Sequence, residues 1–335
     1  MKNLTIRLFI VFIFVGAYSC KKDNSPPVVI PDDTHKVISE EFQNDLLFVN
    51  RPDFKILTDK PAEFSSSDPL IKITSDGTIE RLTSGEVVAI DIAWNDNPSK
   101  KTKIYALGST DNTHDDPYAG YHGELASEAY NSYLLGWQTL QKLPVSNQSY
   151  AIILRHGDAD NGRDFTAANP GRDEPDNWWK SCDNTLARQL NERGKTRSTE
   201  LGKVFKDLNY PITRVISSEF CRSVQTAQLI NVGPTIVQDN RINHPSHNKT
   251  GKGLLNGMIE IMKEQPVDNK MTLVVMHHPV NETGDQGYPT FPKVSPFTWT
   301  GAYIVSVSPD KTVTYQGAVS FAMFNYWRNL KLKRL

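Results

Sequence analysis

The sequence predicts an α/β fold with a three-layer, mainly parallel sheet, preceded by a small β-rich N-terminal region. From Tyr150 onward, short apolar runs alternate with segments of helical periodicity, which is typical of α/β domains. Runs of four or five apolar residues fit central strands that helices cover on both faces. Between residues 36 and 122 the apolar runs are instead separated by turn signals such as Asp76-Gly77, which indicates antiparallel β-structure.

The composition excludes several classes of protein. The chain has 335 residues, 37 Lys and Arg against 38 Asp and Glu, and a net charge of −1. This balance excludes a disordered polyelectrolyte and a nucleic-acid binder that works by bulk charge. Three cysteines are too few for a disulfide-scaffolded mini-protein, and no stretch after the N-terminus is apolar enough to span a membrane.

Residues 1–19 predict a signal peptide. Lys2 and Arg7 precede an apolar run over residues 8–18, which is too short to span a bilayer. Cys20 follows directly and resembles the acylated cysteine of a bacterial lipobox, which implies a lipid anchor to a membrane on the periplasmic side or at the cell exterior. Cleavage as an ordinary signal peptide is the alternative and would give a soluble secreted protein. Both alternatives place the protein outside the cytoplasm.

The rest of the chain divides into three predicted parts. Residues 20–35 form a proline-containing polar tether, and residues 36–122 form the β-rich region, in which we identify no chemistry. Residues 109–122 contain histidines and aspartates, but their spacing matches no rigid ligand pattern, so a solvated loop is favoured and no metal site is predicted. Residues 123–335 form the α/β domain, which begins with a helix that Pro144 ends.

Three predicted strands of the α/β domain end in unusual polar residues. They are followed by Arg155-His156-Gly157-Asp158, by the segment 217–227 that contains Arg222, and by His277-His278-Pro279. Because ligands bind at the carboxyl ends of strands in open α/β sheets, these side chains should converge. Guanidinium groups bind phosphate oxygens bidentately, and a neutral imidazole can carry a phosphoryl group. The set predicts a phosphoryl site that needs neither metal nor cofactor.

These three motifs resemble the histidine phosphatase superfamily, whose fold is called phosphoglycerate-mutase-like. The resemblance extends from about residue 151 to the end and implies a sheet of the histidine-phosphatase type. It implies that His156 is the nucleophile, that Arg155 and Arg222 bind the phosphate, and that His277 completes the catalytic pocket and also binds the phosphate. His278 is the alternative for this last role.

At the general acid, this sequence departs from the family pattern. The acidic motif of the mutase branch has no counterpart in residues 239–252, and the third motif has His-His where the acid-phosphatase branch has His-Asp. Asp158 is the predicted acid, and Asp160 and Glu219 are alternatives. Basic residues in the loops 158–179 and 239–252 could recognise the rest of an anionic substrate.

The expected function is hydrolysis of small phosphate monoesters outside the cytoplasm, by an enzyme that needs no cofactor and shows no sign of an obligate protein partner. The alternative is a non-catalytic lipoprotein that binds a phosphorylated or anionic ligand. If Cys20 is acylated, Cys182 and Cys221 are the remaining thiols. An oxidising compartment favours a disulfide between them, and two separate buried thiols are the alternative.

Overall fold

A computed structural model of the chain describes most residues from His35 onward. The described residues are 35–43, 46–51, 53–83, 85–108, 126–144, 148–233, 235–244, 247, 253–277, 291–292 and 298–335, with the side chains of 126–129 left aside. The predicted signal peptide, Cys20, nearly all of the tether, the loop 109–122 and His278 lie outside them. Within the described ranges, no helix combines the length and apolar character that a membrane crossing requires.

The described residues of the N-terminal region form eight strands in two sheets. They are β1 (Phe42–Gln43), β2 (Leu46–Val49), β3 (Phe54–Lys55), β4 (Ala62–Ser65), β5 (Ile71–Ile73), β6 (Thr78–Leu82), β7 (Val87–Trp94) and β8 (Asn97–Gly108). The larger sheet has the order β1-β2-β8-β7-β4, and the smaller has the order β3-β6-β5. In β7, Val88, Ile90 and Ile92 alternate with more exposed residues and pack into one apolar core.

The described residues of the α/β part form six α-helices and six strands. They are α1 (Ala126–Lys142), β9 (Ser149–Arg155), α2 (Phe165–Ala168), α3 (Glu192–Asp207), β10 (Ile212–Ser217), α4 (Cys221–Ile230), β11 (Ile236–Gln238), α5 (Leu254–Glu264), β12 (Met271–Met276), β13 (Ala302–Val307), β14 (Val313–Val319) and α6 (Phe321–Lys331). The six strands form one sheet in the order β11-β10-β12-β9-β13-β14. The pairings from β11 to β9 are parallel, and those of β13 are antiparallel.

Helices cover both faces of this sheet. Ile152 and Leu154 of β9 pack in the core that contains residues of α1, α3, α4 and α6, whereas Ala151 and Ile153 pack in the core that contains residues of α5. This two-residue alternation follows from the opposite directions of successive side chains in a strand. The predicted three-layer α/β fold with a β-rich N-terminal region is therefore confirmed.

The N-terminal region shares a core with the α/β part. Leu46, Phe48 and Leu107 belong to the same buried cluster as Tyr133 and Trp137 of α1. The residues from His35 to Leu335 accordingly form one compact unit. The boundary at residue 122 falls outside the described residues and stays a prediction.

Candidate active site

The carboxyl ends of β9, β12 and β10 bring the three sequence motifs together. The three strands are neighbours and run parallel, so the residues that follow them lie at one edge of the sheet. The backbone N–H of His156 donates to the carbonyl of Met276 at 3.0 Å, and that of Ser218 donates to the carbonyl of Val275 at 2.9 Å. As a result, the ring centroids of His156 and His277 are 5.3 Å apart.

The hydrogen bonds of His156 define its tautomer. Its Nδ1 lies 2.8 Å from the carbonyl oxygen of Gly157 and must donate, because a carbonyl only accepts. Its Nε2 accepts from Nε of Arg222 at 3.2 Å. Burial, together with Arg222 and Arg155, lowers the pKa of His156 well below its usual value. His156 is therefore a neutral imidazole with its lone pair on Nε2, which is the form a nucleophile needs.

His277 has the complementary arrangement. Its Nε2 lies 3.0 Å from Oγ of Ser218, which in turn accepts the backbone N–H of Phe220 at 3.3 Å. The Ser218 hydroxyl can donate its single proton to Nε2, an arrangement that fits the tautomer of His277 with its ring proton on Nδ1. Burial and the charge of Arg222 lower the pKa of His277 well below its usual value. In that tautomer, His277 offers an N–H beside the lone pair of His156.

Two predicted arginines are buried beside these rings. Arg222 lies at the start of α4 with 1% exposure, and its Nη1 donates to Asp164 at 3.0 Å. Burial lowers the pKa of Arg222 to about 10, so the guanidinium stays charged at neutral pH. Arg155 is 8% exposed, and its guanidinium carbon lies 5.5 Å from the ring centre of Trp299.

A third arginine, Arg188, influences the pKa values of the same groups. It was not among the sequence candidates. Its positive charge contributes to the lowered pKa values of His156, His277 and Arg222. Its Nε is buried and has no hydrogen-bond partner in the described part of the chain. A donor held in this way can bind an anion that enters the cluster. Position 188 lies between the first and second motifs and belongs to neither, so the motifs gave no signal for it.

Asp158 has other partners. Its side chain is 1% exposed and lies 3.2 Å from Nε of Arg193 and 3.9 Å from Nη1 of Arg197. Arg197 also contacts Glu86 of the N-terminal region at 3.1 Å. These contacts tie the carboxylate to α3 and do not support its predicted role as general acid. Nearness to His156 in sequence was a weak signal, because the Asp158 carboxylate contacts two arginines of α3.

The alternative acids are also engaged elsewhere. The Asp160 side chain accepts from the amide of Asn191 at 2.7 Å. Glu219 pairs with Lys180 at 2.7 Å and accepts from the side chain of Asn243 at 2.9 Å. The contacts of these three carboxylates therefore leave the proton donor unassigned.

The basic residues of the loop 239–252 differ in their distance from the pocket. The ring centre of His244 lies 6.0 Å from that of His277, and the ring of His247 lies 5.0 Å from that of Trp178. Arg241 instead pairs with Asp239 and Glu264, and Lys249 and Lys252 lie outside the described residues. Within the described ranges, no group of three or more His, Cys, Asp or Glu could hold a metal ion.

Gly157 is a glycine because two backbones meet there. A Cβ at Gly157 would lie 2.9 Å from the carbonyl oxygen of Gly194, and a Cβ at Gly194 would lie 2.3 Å from that of Asp158. Neither position has room for a side chain, because backbone atoms cannot yield as a flexible side chain can. This contact presses the segment after His156 against the start of α3.

A disulfide joins Cys182 to Cys221, the residue before Arg222. The Cα atoms are 5.4 Å apart, within the normal range for a bridge. Beside it, the ring centres of Trp178 and Trp179 lie 6.0 and 6.4 Å from that of Phe220. The bridge and the aromatic contacts hold the loop after α2 against the start of α4.

Comparisons with known proteins give matches among solved structures alone. No family model and no curated protein matches the chain. The protein histidine phosphatase SixA in complex with tungstate is 21% identical, with 51% of this chain and 97% of that chain covered and a TM-score of 0.35. A phosphoserine phosphatase from Entamoeba histolytica, in complex with phosphoserine, is 13% identical, with 52% and 98% covered and a TM-score of 0.34. A phosphoglycerate mutase from Plasmodium falciparum is 12% identical, with 51% and 89% covered and a TM-score of 0.30.

Proposed function

We propose that this protein is a phosphatase of the histidine phosphatase superfamily that hydrolyses phosphate monoesters outside the cytoplasm through a phosphohistidine at His156. The observation that carries the proposal is the pairing of a neutral His156, with its lone pair on Nε2, and a buried Arg222 that contacts this nitrogen at 3.2 Å. A nucleophile and a phosphate-binding cation are thereby held in contact before any substrate enters.

The proposed reaction has two steps. In the first, the Nε2 lone pair of His156 attacks phosphorus, the bond from phosphorus to the leaving oxygen breaks, and that oxygen takes up a proton. In the second, water attacks the phosphohistidine, the nitrogen–phosphorus bond breaks, and its electron pair returns to Nε2 as phosphate leaves.

The remaining residues of the cluster neutralise and orient the transferred group. Arg155, Arg188 and Arg222 provide three positive charges, which the carboxylate of Asp164 offsets only in part, and this balance suits a phosphate dianion. The Nδ1–H of His277 can donate to a phosphoryl oxygen, since Ser218 occupies its other nitrogen. Donors that are already in place lower the barrier without reorganisation.

Two observations support the proposed location. The bond between Cys182 and Cys221 fits an oxidising compartment, and residues 1–20 have the features of an exported lipoprotein. We expect the full-length chain to fractionate with membranes and to incorporate labelled fatty acid, and Cys20→Ser to lose both properties.

The test of the activity uses an aryl phosphate, whose leaving group hardly needs an acid. Wild-type protein should release the phenol and, after rapid acid-free quenching, should carry alkali-stable, acid-labile phosphate. His156→Ala should lose both signals, whereas His35→Ala, a matched substitution in the N-terminal region, should keep them. Turnover that survives in His156→Ala would refute the nucleophile. Ligand binding without turnover in the wild type would favour the non-catalytic lipoprotein.

A further inference from the structure

Arg188 lies in the segment between the disulfide and α3, and Asp164 holds its backbone beside the pocket. The backbone N–H of Arg188 donates to Oδ1 of Asp164 at 3.1 Å, and the same oxygen accepts from Nη1 of Arg222 at 3.0 Å. Arg222 in turn donates from Nε to Nε2 of His156 at 3.2 Å. One carboxylate and one guanidinium group therefore connect Arg188 to the proposed nucleophile.

The two guanidinium groups around Asp164 differ in how their donors are used. Arg222 directs Nε to His156 and both Nη atoms to Asp164, the second at 3.5 Å. Nη2 of Arg188 lies 3.9 Å from Asp164, which is too far for a hydrogen bond. Within the described ranges, the buried Nε of Arg188 has no hydrogen-bond partner either. A buried donor without a partner costs free energy, so we interpret this donor as one that an anion satisfies.

The charge of Arg188 acts on several groups of the pocket. Burial is the main cause of the lowered pKa values of four groups, and the charge of Arg188 adds to it at His156, His277, Arg222 and His244. The Arg188 side chain is 29% exposed, whereas His156 is 2% exposed. An anion can therefore contact Arg188 from the solvent side before it reaches the nucleophile.

Arg188 also determines how much positive charge the pocket carries. Together with Arg155, Arg222 and the carboxylate of Asp164, it leaves two positive charges, and without it one would remain. Coulomb energy is proportional to the charge of the ligand, so the charge of Arg188 attracts a dianion about twice as strongly as a monoanion. Near neutral pH a phosphate monoester is mainly a dianion, whereas a diester has a single charge.

We propose that Arg188 is a specificity-determining residue that makes the pocket select dianionic phosphate monoesters over monoanionic diesters, an inference that rests on the proposed function. Its guanidinium donates to a phosphoryl oxygen that keeps its negative charge throughout the reaction. In a diester, one more oxygen carries a carbon group in place of charge, so this contact loses much of its energy. No bond forms or breaks at Arg188, and the two steps of the reaction are unchanged.

The test measures, by calorimetry at one pH, the binding of two tetrahedral oxyanions that differ in charge, the dianion sulfate and the monoanion perchlorate. Arg188→Gln removes the charge and keeps a polar side chain. Loss of a charge-assisted contact costs about 10–100-fold in affinity, so we expect sulfate to lose about 100-fold and perchlorate, with half the charge, about tenfold. Lys203→Gln, which removes an exposed charge from α3, should change neither affinity by more than about twofold.

Arg188→Lys provides a second variant, because it keeps the charge but not the planar fork. Both anions should then lose affinity by a similar factor, and the preference for sulfate should stay close to that of wild type. Equal losses for the two anions in Arg188→Gln would mean that Arg188 only supports the shape of the pocket. Unchanged sulfate affinity in Arg188→Gln, or a lost preference for sulfate in Arg188→Lys, would also overturn the inference.

Kinetics separate this inference from the proposed function. In Arg188→Gln, kcat/KM for nitrophenyl phosphate should fall by about 100-fold, whereas the inhibition constant of its monoanionic methyl diester should rise by about tenfold or less. Turnover with an unchanged kcat/KM in this variant would support the proposed function and refute the role of Arg188. Wild type that prefers sulfate through Arg188 but hydrolyses no ester would refute the proposed function and leave the selectivity for dianions standing.

Discussion

The N-terminal β-rich region and the edge of the central sheet differ in how deeply their charged side chains are buried. In the N-terminal region, ion pairs such as Lys55–Asp76 and Lys72–Glu80 lie at the surface, with side-chain exposures between 38% and 72%, around a core of apolar residues. At the sheet edge, Arg155, His156 and Arg222 are at most 8% exposed.

This difference separates residues that stabilise the fold from the residues to which we assign the proposed chemistry. Exposed ion pairs contribute little free energy, and apolar burial contributes most of it. Burying a guanidinium costs several kcal/mol unless partners offset the cost, so stability alone does not explain the charges at the sheet edge. We therefore expect substitutions in the two regions to have different consequences, with activity affected in one and stability in the other.

The largest expected effect is on catalysis. Arg222→Ala should lower kcat/KM for an aryl phosphate by about 10²–10³-fold, the usual cost of removing one preorganised donor to the transition state. Arg222→Lys should recover part of this loss, because it keeps the charge but not the planar fork. Steady-state kinetics measure both, with Lys55→Ala as the exposed control that should match wild type. A loss of only a few-fold in Arg222→Ala would contradict phosphate binding by Arg222.

The next effect is on stability, and it comes from the disulfide beside the site. The cysteines are 39 residues apart, and closing a loop of that length constrains the unfolded chain by roughly 3–4 kcal/mol. The double variant Cys182→Ser, Cys221→Ser should lose about this much free energy of unfolding in urea. Reducing agent should destabilise wild type but leave the double variant unchanged; equal midpoints for oxidised and reduced wild type would count against the bridge.

The dependence of stability on pH should also differ between the regions. His156 and His277 have pKa values well below the usual value in the folded protein, so below about pH 6.5 the unfolded chain binds protons that the folded chain does not. The free energy that these two neutral histidines contribute to folding is present above that pH. It is lost as the pH falls toward their pKa values in the folded protein. Asp59 and Asp96 of the N-terminal region have lowered pKa values because they accept hydrogen bonds, so their contribution is lost only in the acid range of carboxylates.

Thermal unfolding between pH 4.5 and 7.5 measures this difference. Wild type should lose stability as the pH falls from 6.5 to 5, and His277→Asn should lose less over the same interval. Asp96→Asn should show the wild-type slope there. Parallel curves for wild type and His277→Asn would show that His277 is not held neutral.

The smallest effect is expected in the core of the N-terminal region. Ile90 in β7 is fully buried, so Ile90→Val should lower the free energy of unfolding by about 1 kcal/mol. Because this region provides no residue of the proposed reaction, kcat per folded molecule should not change. A change in kcat per folded molecule would show that the core of the N-terminal region affects the proposed reaction.

The parts of the structure that could be predicted from sequence are those with strong local signals. Apolar runs such as Thr272–Met276 and the helical spacing before Pro144 identify strands and a helix close to their observed positions. Arg155, His156, Arg222 and His277 could be placed together because parallel strands bring their carboxyl ends to one edge.

The other parts of the fold and of the candidate site depend on tertiary interactions that sequence periodicity does not reveal. Arg188 and Asp164 reach the pocket from the long segment between β9 and α3, whose path is determined by tertiary contacts and by the disulfide. The strands β1 to β4 have two to four residues each, too few to show alternation. Only Ser320 separates β14 from helix α6, and the helix is rich in aromatic residues, so its sequence does not show a clear helical period.

The contact between Gly157 and Gly194 has a consequence for how this site can diverge. In a library of random substitutions, active clones should keep glycine at both positions, since a single added methyl group would separate the segment after His156 from α3. Exposed positions in the intervening loop, such as Arg163 and Arg172, carry no such restriction. Selection for a new substrate would therefore act on the loop while the two glycines remain unchanged, and variation along a lineage would accumulate there first.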